Sequence, residues 1–115
     1  MHWNNKVVLI TGSSIGIGQK LAELLLDKGA QVVLNARNAD RLQQTLSAFQ
    51  AQGFDGLLAV PGDVSVLEDC TRLVQKTSGH FGRLDLVINN AGISAEGDVS
   101  ELPPEVFRKV TEVNF

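Results

Sequence analysis

The stretch Thr11–Gly18 reads T-G-S-S-I-G-I-G and follows the apolar run Lys6-Val7-Val8-Leu9-Ile10. A buried strand that ends in a glycine-rich turn and passes straight into a helix makes a site for a diphosphate. The first amides of a helix have no intrahelical acceptor, so they point outward with the positive end of the helix dipole behind them. Gly12 permits a sharp turn off the strand. Gly16 lets the backbone approach an anion where a Cβ would intrude, and Gly18 lets the new helix lie close to the sheet. The hydroxyls of Ser13 and Ser14 and the amides near Ile15 and Ile17 are the expected donors. The alternative is an ordinary turn that holds three glycines. The spacing is G-x-x-x-G-x-G rather than the G-x-G-x-x-G of many dinucleotide sites, so support has to come from further along the chain.

Few other residues offer chemistry. Asn114 lies four residues after Val110 and eight after Val106, on the apolar stripe of a predicted helix. A buried amide there needs partners or costs about 1–3 kcal/mol. Its alternative role is to satisfy a helix kink. His2 and His80 are isolated, and His80 sits in the turn-like Ser-Gly-His-Phe-Gly. No cysteine–histidine spacing suits zinc, so no metal site is expected. Neither Ser13 nor Ser14 has the histidine pattern of a nucleophile. Arg72, Lys76, Arg108 and Lys109 read as solvated helix faces.

The elements that must position these residues alternate. A first strand over Lys6–Thr11 is apolar throughout, as suits a parallel strand buried on both faces. The helix after it puts Ile17, Leu21, Leu24 and Leu25 on one stripe and stops at Gly29. A second strand over Gln31–Ala36 leads to a helix from Ala39 to Gln52, with Asn38 as its N-cap. A third strand over Leu57–Val60 ends at Pro61-Gly62. Ser65-x-x-Glu68 reads as a capping box, with Val66, Cys70, Leu73 and Val74 as the buried stripe of a third helix. That stripe makes Cys70 an inert core thiol. A fourth strand over Leu84–Asn89 runs into Asn90-Ala91-Gly92. A fourth helix, opened by Pro103-Pro104, carries Val106, Phe107, Val110 and Val113.

Strands alternating with helices imply a parallel sheet with right-handed crossovers. The expected fold is therefore α/β, a Rossmann-type doubly wound sheet of about four strand–helix units over residues 1–115. Such folds are built from two halves, and four units supply about one. An unpaired fourth strand would leave an open apolar edge. The chain is thus expected to be the N-terminal part of something longer.

The totals narrow the class. At 115 residues the chain is one domain at most, and its 43% hydrophobic fraction is ordinary for a globular core. Ten basic against thirteen acidic residues give a formal charge of −3, which disfavours nucleic acid as a partner. No apolar run is long enough to span a membrane, and the N-terminus has no signal-peptide pattern, so a cytoplasmic location is expected. Cys70 is the single cysteine and there is no tyrosine.

Four stretches together resemble the short-chain dehydrogenases/reductases: T-G-S-S-I-G-I-G at Thr11–Gly18, Asp63-Val64, N-N-A-G at Asn89–Gly92, and Asn114 in a V-x-x-V-N setting. The resemblance covers nearly the whole chain from Lys6. It implies an oxidoreductase that moves hydride between a nicotinamide and a carbonyl or secondary alcohol. The glycine turn would hold the cofactor diphosphate, from Gly12 to Gly18. Asp63 would reach the adenine amino group with Val64 packed on the ring, or else merely cap its loop. Asn90, Ala91 and Gly92 would line the ribose and nicotinamide side, while Asn89 and Asn90 also tie the fourth strand to the first. Asn114 would be the asparagine of the catalytic tetrad, holding a water that relays protons to the active-site lysine.

The second strand ends in Asn35-Ala36-Arg37-Asn38, without the carboxylate that would pair a ribose 2′-hydroxyl. Arg37 lies where a guanidinium could meet a 2′-phosphate, so NADP(H) is preferred to NAD(H). A surface arginine beside a helix start is the alternative. Ile15 departs from NADP-preferring relatives, which often have a basic residue there. The family's serine and Tyr-x-x-x-Lys have no counterpart here, so these residues alone are expected to be inactive. The resemblance also implies a homo-oligomer at full length. The competing reading is a truncated, non-catalytic dinucleotide-binding or interaction module.

Overall fold

A computed structural model describes residues 2–90 and the backbone of 110–112. The chain runs β1 (Val7–Ile10), α1 (Gly16–Asp27), β2 (Gln31–Ala36), α2 (Ala39–Ala51), β3 (Leu57–Pro61), α3 (Leu67–Phe81), β4 (Leu86–Ile88) and β5 (Val110–Glu112). The sheet order is β3-β2-β1-β4-β5. The first four strands of that order are parallel, with Ile10 opposite both Leu34 and Ile88. This is the expected Rossmann-type arrangement.

Burial follows from the pleat. Alternate residues of a strand face opposite sides. Val8 and Ile10 join a core with Ile17, Leu21 and Leu25 of α1 and Leu42 and Phe49 of α2. Val7 and Leu9 face the other way, into a core with Val33, Val60 and Leu73 of α3. Layers on both faces explain why β1 is apolar at every position and buried throughout. At its lower end, Asp85 exchanges two bonds with Val7: its carboxylate accepts from the Val7 amide at 2.8 Å and its own amide donates to the Val7 carbonyl at 2.9 Å.

The boundaries of the first three units agree with the sequence, with four local differences, the first being that residues 78–81, expected as a turn around His80, form the end of α3. In α1, Leu26 joins the buried stripe and Leu24 does not; Leu24 is half-exposed, because Ile17, Leu21, Ala22, Leu25 and Leu26 already fill the face toward the sheet. The capping box before α3 does not form. Ser65 donates its amide and hydroxyl to Asp63 Oδ1, the helix starts one turn-residue later with Val66 in the N-cap position, and Val66 is exposed. A local Asx turn has out-competed the cap for the same serine. Cys70 consequently sits half-buried, its Sγ donating to the Val64 carbonyl, rather than in the core.

The fourth helix is a larger correction. Val110, expected on its apolar stripe, opens β5, which pairs antiparallel with β4 in the register Leu86↔Glu112, Val87↔Thr111, Ile88↔Val110. The outer edge of β4 would otherwise be a row of unpaired donors and acceptors. The β-branched pair Val110-Thr111 suits a strand as well as its spacing suited a helix. The expected helical positions Val106, Phe107 and Val113 lie outside the described residues.

Candidate functional site

The connection β1-α1-β2 passes to one side of β1, and β3-α3-β4 crosses to the other. The strand order therefore reverses at β1, and ligands of open α/β sheets bind in the crevice at such a point, beyond the carboxyl ends of the strands. The residues at those ends are the glycine turn after β1, Asn35–Arg37 after β2, Gly62-Asp63 after β3 and Asn89-Asn90 after β4. Every candidate within the described residues lies on this rim.

Gly12 and Gly18 take the structural roles expected of them. Gly12 and Gly16 have φ of 64° and 59°, in the left-handed region. Gly18 is a close-approach residue: a Cβ there would lie 2.2 Å from the Gly12 carbonyl oxygen and 2.6 Å from Asn90 Nδ2. That Nδ2 donates to the same Gly12 carbonyl at 3.1 Å. The turn is also sewn to β4 through Thr11, whose hydroxyl accepts from the Asn90 amide at 2.8 Å and donates to Asn89 Oδ1 at 3.2 Å. Asn90 is 4% exposed, and its Oδ1 is buried with no hydrogen-bond partner among the described residues.

The start of α1 carries no side-chain cap from its N-cap residue Ile15 and its first turn holds no acid, whereas Asn38 caps α2 and α3 carries Glu68 and Asp69 in its first turn. The amides of Gly16, Ile17 and Gly18 lie in that uncapped turn, where α-helical geometry supplies no acceptor. Ile15 is half-exposed beside them. Ser14 is buried, its carbonyl accepting from the Thr45 hydroxyl at 2.9 Å, which anchors the turn to α2. Ser13 departs from expectation. It is fully buried, and its hydroxyl accepts from the Asn35 amide at 2.8 Å and donates to the Asn35 carbonyl at 3.3 Å. The hydroxyl expected to face a phosphate instead serves the loop.

On the far side of the crevice, Arg37 is exposed and makes no hydrogen bond or ion pair with the described residues. Asp63 follows β3. The hydroxyl and then the amide of Ser65 hold its carboxyl below the usual carboxylate range, against a small opposing effect of burial, and the Arg37 charge lowers it further. Two residues expected at the 2′-phosphate and adenine positions are therefore within electrostatic reach of each other. The Asp63 amide donates to Asp69 Oδ2 at 2.8 Å, and Arg72 donates to the Pro61 carbonyl at 2.9 Å, so α3 buttresses this loop from behind. Val64 packs partly against the core on the α3 face. Ala91, Gly92 and Asn114 lie outside the described residues.

Asn35 is the functional-rim residue that motif reading passed over. Its Nδ2 donates to the carbonyls of Val60 at 3.1 Å and Gly62 at 3.3 Å. The available signal was an amide interrupting the apolar run Val32-Val33-Leu34 within a buried strand. Among the described residues no group of three His, Cys, Asp or Glu could hold a metal, and no helix is long and apolar enough to cross a membrane. A cavity of about 190 Å³ lined by Asn5, Gly29, Phe54 and Asp55 opens at the opposite, amino end of the strands.

A switch-point crevice with an uncapped helix start and close-approach glycines belongs to an α/β protein of the Rossmann type. The model of the short chain dehydrogenase family matches residues 6–115, and the chain belongs to that family. It is 50% identical over 91 residues to an 11-beta-hydroxysteroid dehydrogenase-like protein (4A) of Arabidopsis thaliana, covering 79% of this chain and 30% of that one. An uncharacterized oxidoreductase of Thermotoga maritima is 38% identical over 114 residues, 99% of this chain and 44% of that one. The chain thus spans less than half the length of these relatives. Among solved structures, L-sorbose reductase of Gluconobacter frateurii, complexed with NADPH and L-sorbose, superposes with a TM-score of 0.76 at 34% identity, over 91% of this chain and 41% of that one. A family member from Burkholderia phymatum in complex with NAD gives 0.72 at 28%, over 76% and 31%. These two curated relatives are a dehydrogenase-like protein and an oxidoreductase, and the two solved relatives hold NADPH and NAD.

Proposed function

We propose that this chain is the NADP(H)-binding part of an oxidoreductase acting on a small carbonyl compound or secondary alcohol. The observation that carries the reading is the uncapped, acid-free start of α1 opening on the switch-point crevice. The residues fit the cofactor. The Gly18 approach leaves no room for a Cβ, the Gly16–Gly18 amides have the geometry for a diphosphate, and Asn90 Oδ1 is a buried acceptor lacking a donor among the described residues. Arg37, exposed and without an ion pair among the described residues, supports a 2′-phosphate, as does a solved relative complexed with NADPH; one complexed with NAD leaves NAD(H) as the alternative.

The cofactor when bound supplies or accepts the hydride. This chain's part is to bind and orient it: the glycine turn takes the diphosphate, Asp63 and Val64 the adenine, and Asn90, Ala91 and Gly92 the nicotinamide side. Asn114 is proposed to hold a water of the proton relay. The 115 residues contain no tyrosine, which favours a second reading, binding without turnover by these residues alone. A charge-assisted bond from Arg37 to a 2′-phosphate is worth roughly 1.5–3 kcal/mol, about ten- to a hundredfold in affinity. Arg37→Asp is therefore expected to weaken NADPH binding by at least tenfold relative to NADH in calorimetric titrations. Equal losses for both cofactors would refute the 2′-phosphate role, and no binding of either would refute the cofactor reading itself.

A further inference from the structure

We infer that Asn35 and Ser13 are a positioning pair that fastens the glycine turn to the β3–α3 loop, and so sets the spacing between the diphosphate and adenosine parts of the nucleotide site. This rests on the nucleotide reading above and adds to it two residues that touch no reacting atom.

The observation is a junction of three segments. Asn35 stands at the end of β2 and is 2% exposed. Its side chain donates both amide hydrogens toward β3 and the loop after it, to the carbonyls of Val60 and Gly62. Its main chain faces the glycine turn. The Asn35 amide donates to Ser13 Oγ at 2.8 Å, and the Ser13 amide donates back to the Asn35 carbonyl at 2.8 Å. Gly62 immediately precedes Asp63, Ser13 immediately follows Gly12, and Arg37 lies two residues beyond Asn35. The segments proposed to hold adenine, diphosphate and 2′-phosphate thus meet at one amide and one hydroxyl.

The sheet cannot make this link by itself. The β1–β2 ladder ends at Ile10↔Leu34 and the β2–β3 ladder at Ala36↔Pro61. Ser13 and Gly62 lie past those ends, where the junction holds them, aided at Gly62 by the bond from its amide to the Ala36 carbonyl at 3.0 Å. The residue types are specific. Reaching two carbonyls takes two donors on a short side chain, which asparagine has and aspartate lacks. Accepting from a buried amide while donating to a carbonyl takes a hydroxyl, which serine has and alanine lacks.

The two arms separate in a binding experiment on the full chain. NADPH spans the adenosine pocket and the turn, while adenosine 2′-monophosphate engages only the adenosine pocket. Ser13→Ala removes both hydroxyl bonds of the arm to the turn and keeps the main-chain bond from the Ser13 amide to the Asn35 carbonyl. It is expected to weaken NADPH about tenfold, because the buried Asn35 amide loses its acceptor, and to change the 2′-monophosphate constant less than twofold. Asn35→Asp cuts the arm to Gly62 and is expected to weaken both ligands tenfold or more. Calorimetry reads the first ligand, and an NMR titration reads the second into the millimolar range. A pair that merely stabilised the fold would lower Tm and leave the ratio of the two constants where it was. A Ser13→Ala ratio within twofold of wild type overturns the inference, whatever happens to Tm. Should Asn35→Asp fail to fold, Ser13→Ala decides alone. Wild-type chain that binds neither ligand overturns the cofactor reading and this inference with it.

Discussion

Replacing Gly18 with alanine tests how tightly the turn, helix and sheet are fitted together. The added Cβ would lie 2.2 Å from the Gly12 carbonyl oxygen, 2.9 Å from its carbon and 2.6 Å from Asn90 Nδ2. Two of those atoms are backbone and the third is a buried amide, so none can swing away at low cost. Overpacking of this kind costs about 1–3 kcal/mol. Relief by separation would break the hydrogen bond from Asn90 to Gly12, leaving two buried groups unpaired for another ~1–3 kcal/mol. Alanine returns at most ~1 kcal/mol through helix propensity. The net expectation is a loss of roughly 1–5 kcal/mol, which for a domain of this size lowers Tm by at least ~4 °C. Thermal unfolding followed by circular dichroism measures it. Gly79 supplies the control. It is also helical, but nothing lies within 4 Å of a Cβ added there, so Gly79→Ala is expected to raise stability by ~0.5–1 kcal/mol. If Gly18→Ala melted within 2 °C of wild type, the close approach of α1 to β1 and β4 would not be the reason for glycine, and the geometry argued for the diphosphate turn would fall.

Other outcomes follow from single residues. Ile15 is exposed at the mouth of the turn, so Ile15→Arg is expected to tighten NADPH binding about three- to tenfold through a solvent-screened phosphate contact and to leave NADH unchanged; titration of both cofactors checks it. Asp85 titrates with a lowered pKa: burial raises it, but the bond from Arg83, the Val7 amide and the charges of Arg83 and Lys6 together outweigh burial. A carboxyl lowered in the folded state stabilises the protein above the unfolded value of 3.8 and loses that contribution as pH falls through the folded value. Asp85→Asn should therefore flatten the acid limb of the stability curve below pH 3.8, and an unchanged acid-unfolding profile would count against the clamp at the start of β4. Thr11→Val removes the hydroxyl that joins Asn89 and Asn90 to the turn; a loss of about 1–3 kcal/mol in urea unfolding is expected, and no change would mean that β4 holds the turn without it.

Much of the molecule was legible in the chain itself. Periodicity set β1, β2 and α2, because an unbroken apolar run and a 3.6-residue stripe each report burial that depends on neighbours in sequence. Asn38 as a cap and Gly18 as a close-approach residue were readable for the same reason: each acts within its own turn or on the segment beside it. Tertiary structure decided what depended on partners distant in sequence. Ser13 carries the same hydroxyl whether it faces a phosphate or Asn35, and only the meeting of β1 and β2, 22 residues apart at that bond, fixed which. Val110-Thr111 satisfied a helical and a strand pattern equally, and the open edge of β4 chose between them. Ser65 was claimed by Asp63 before it could cap a helix. Hydrophobic spacing encodes which face is buried, whereas a polar side chain is satisfied by whichever donor or acceptor the folded chain brings to it.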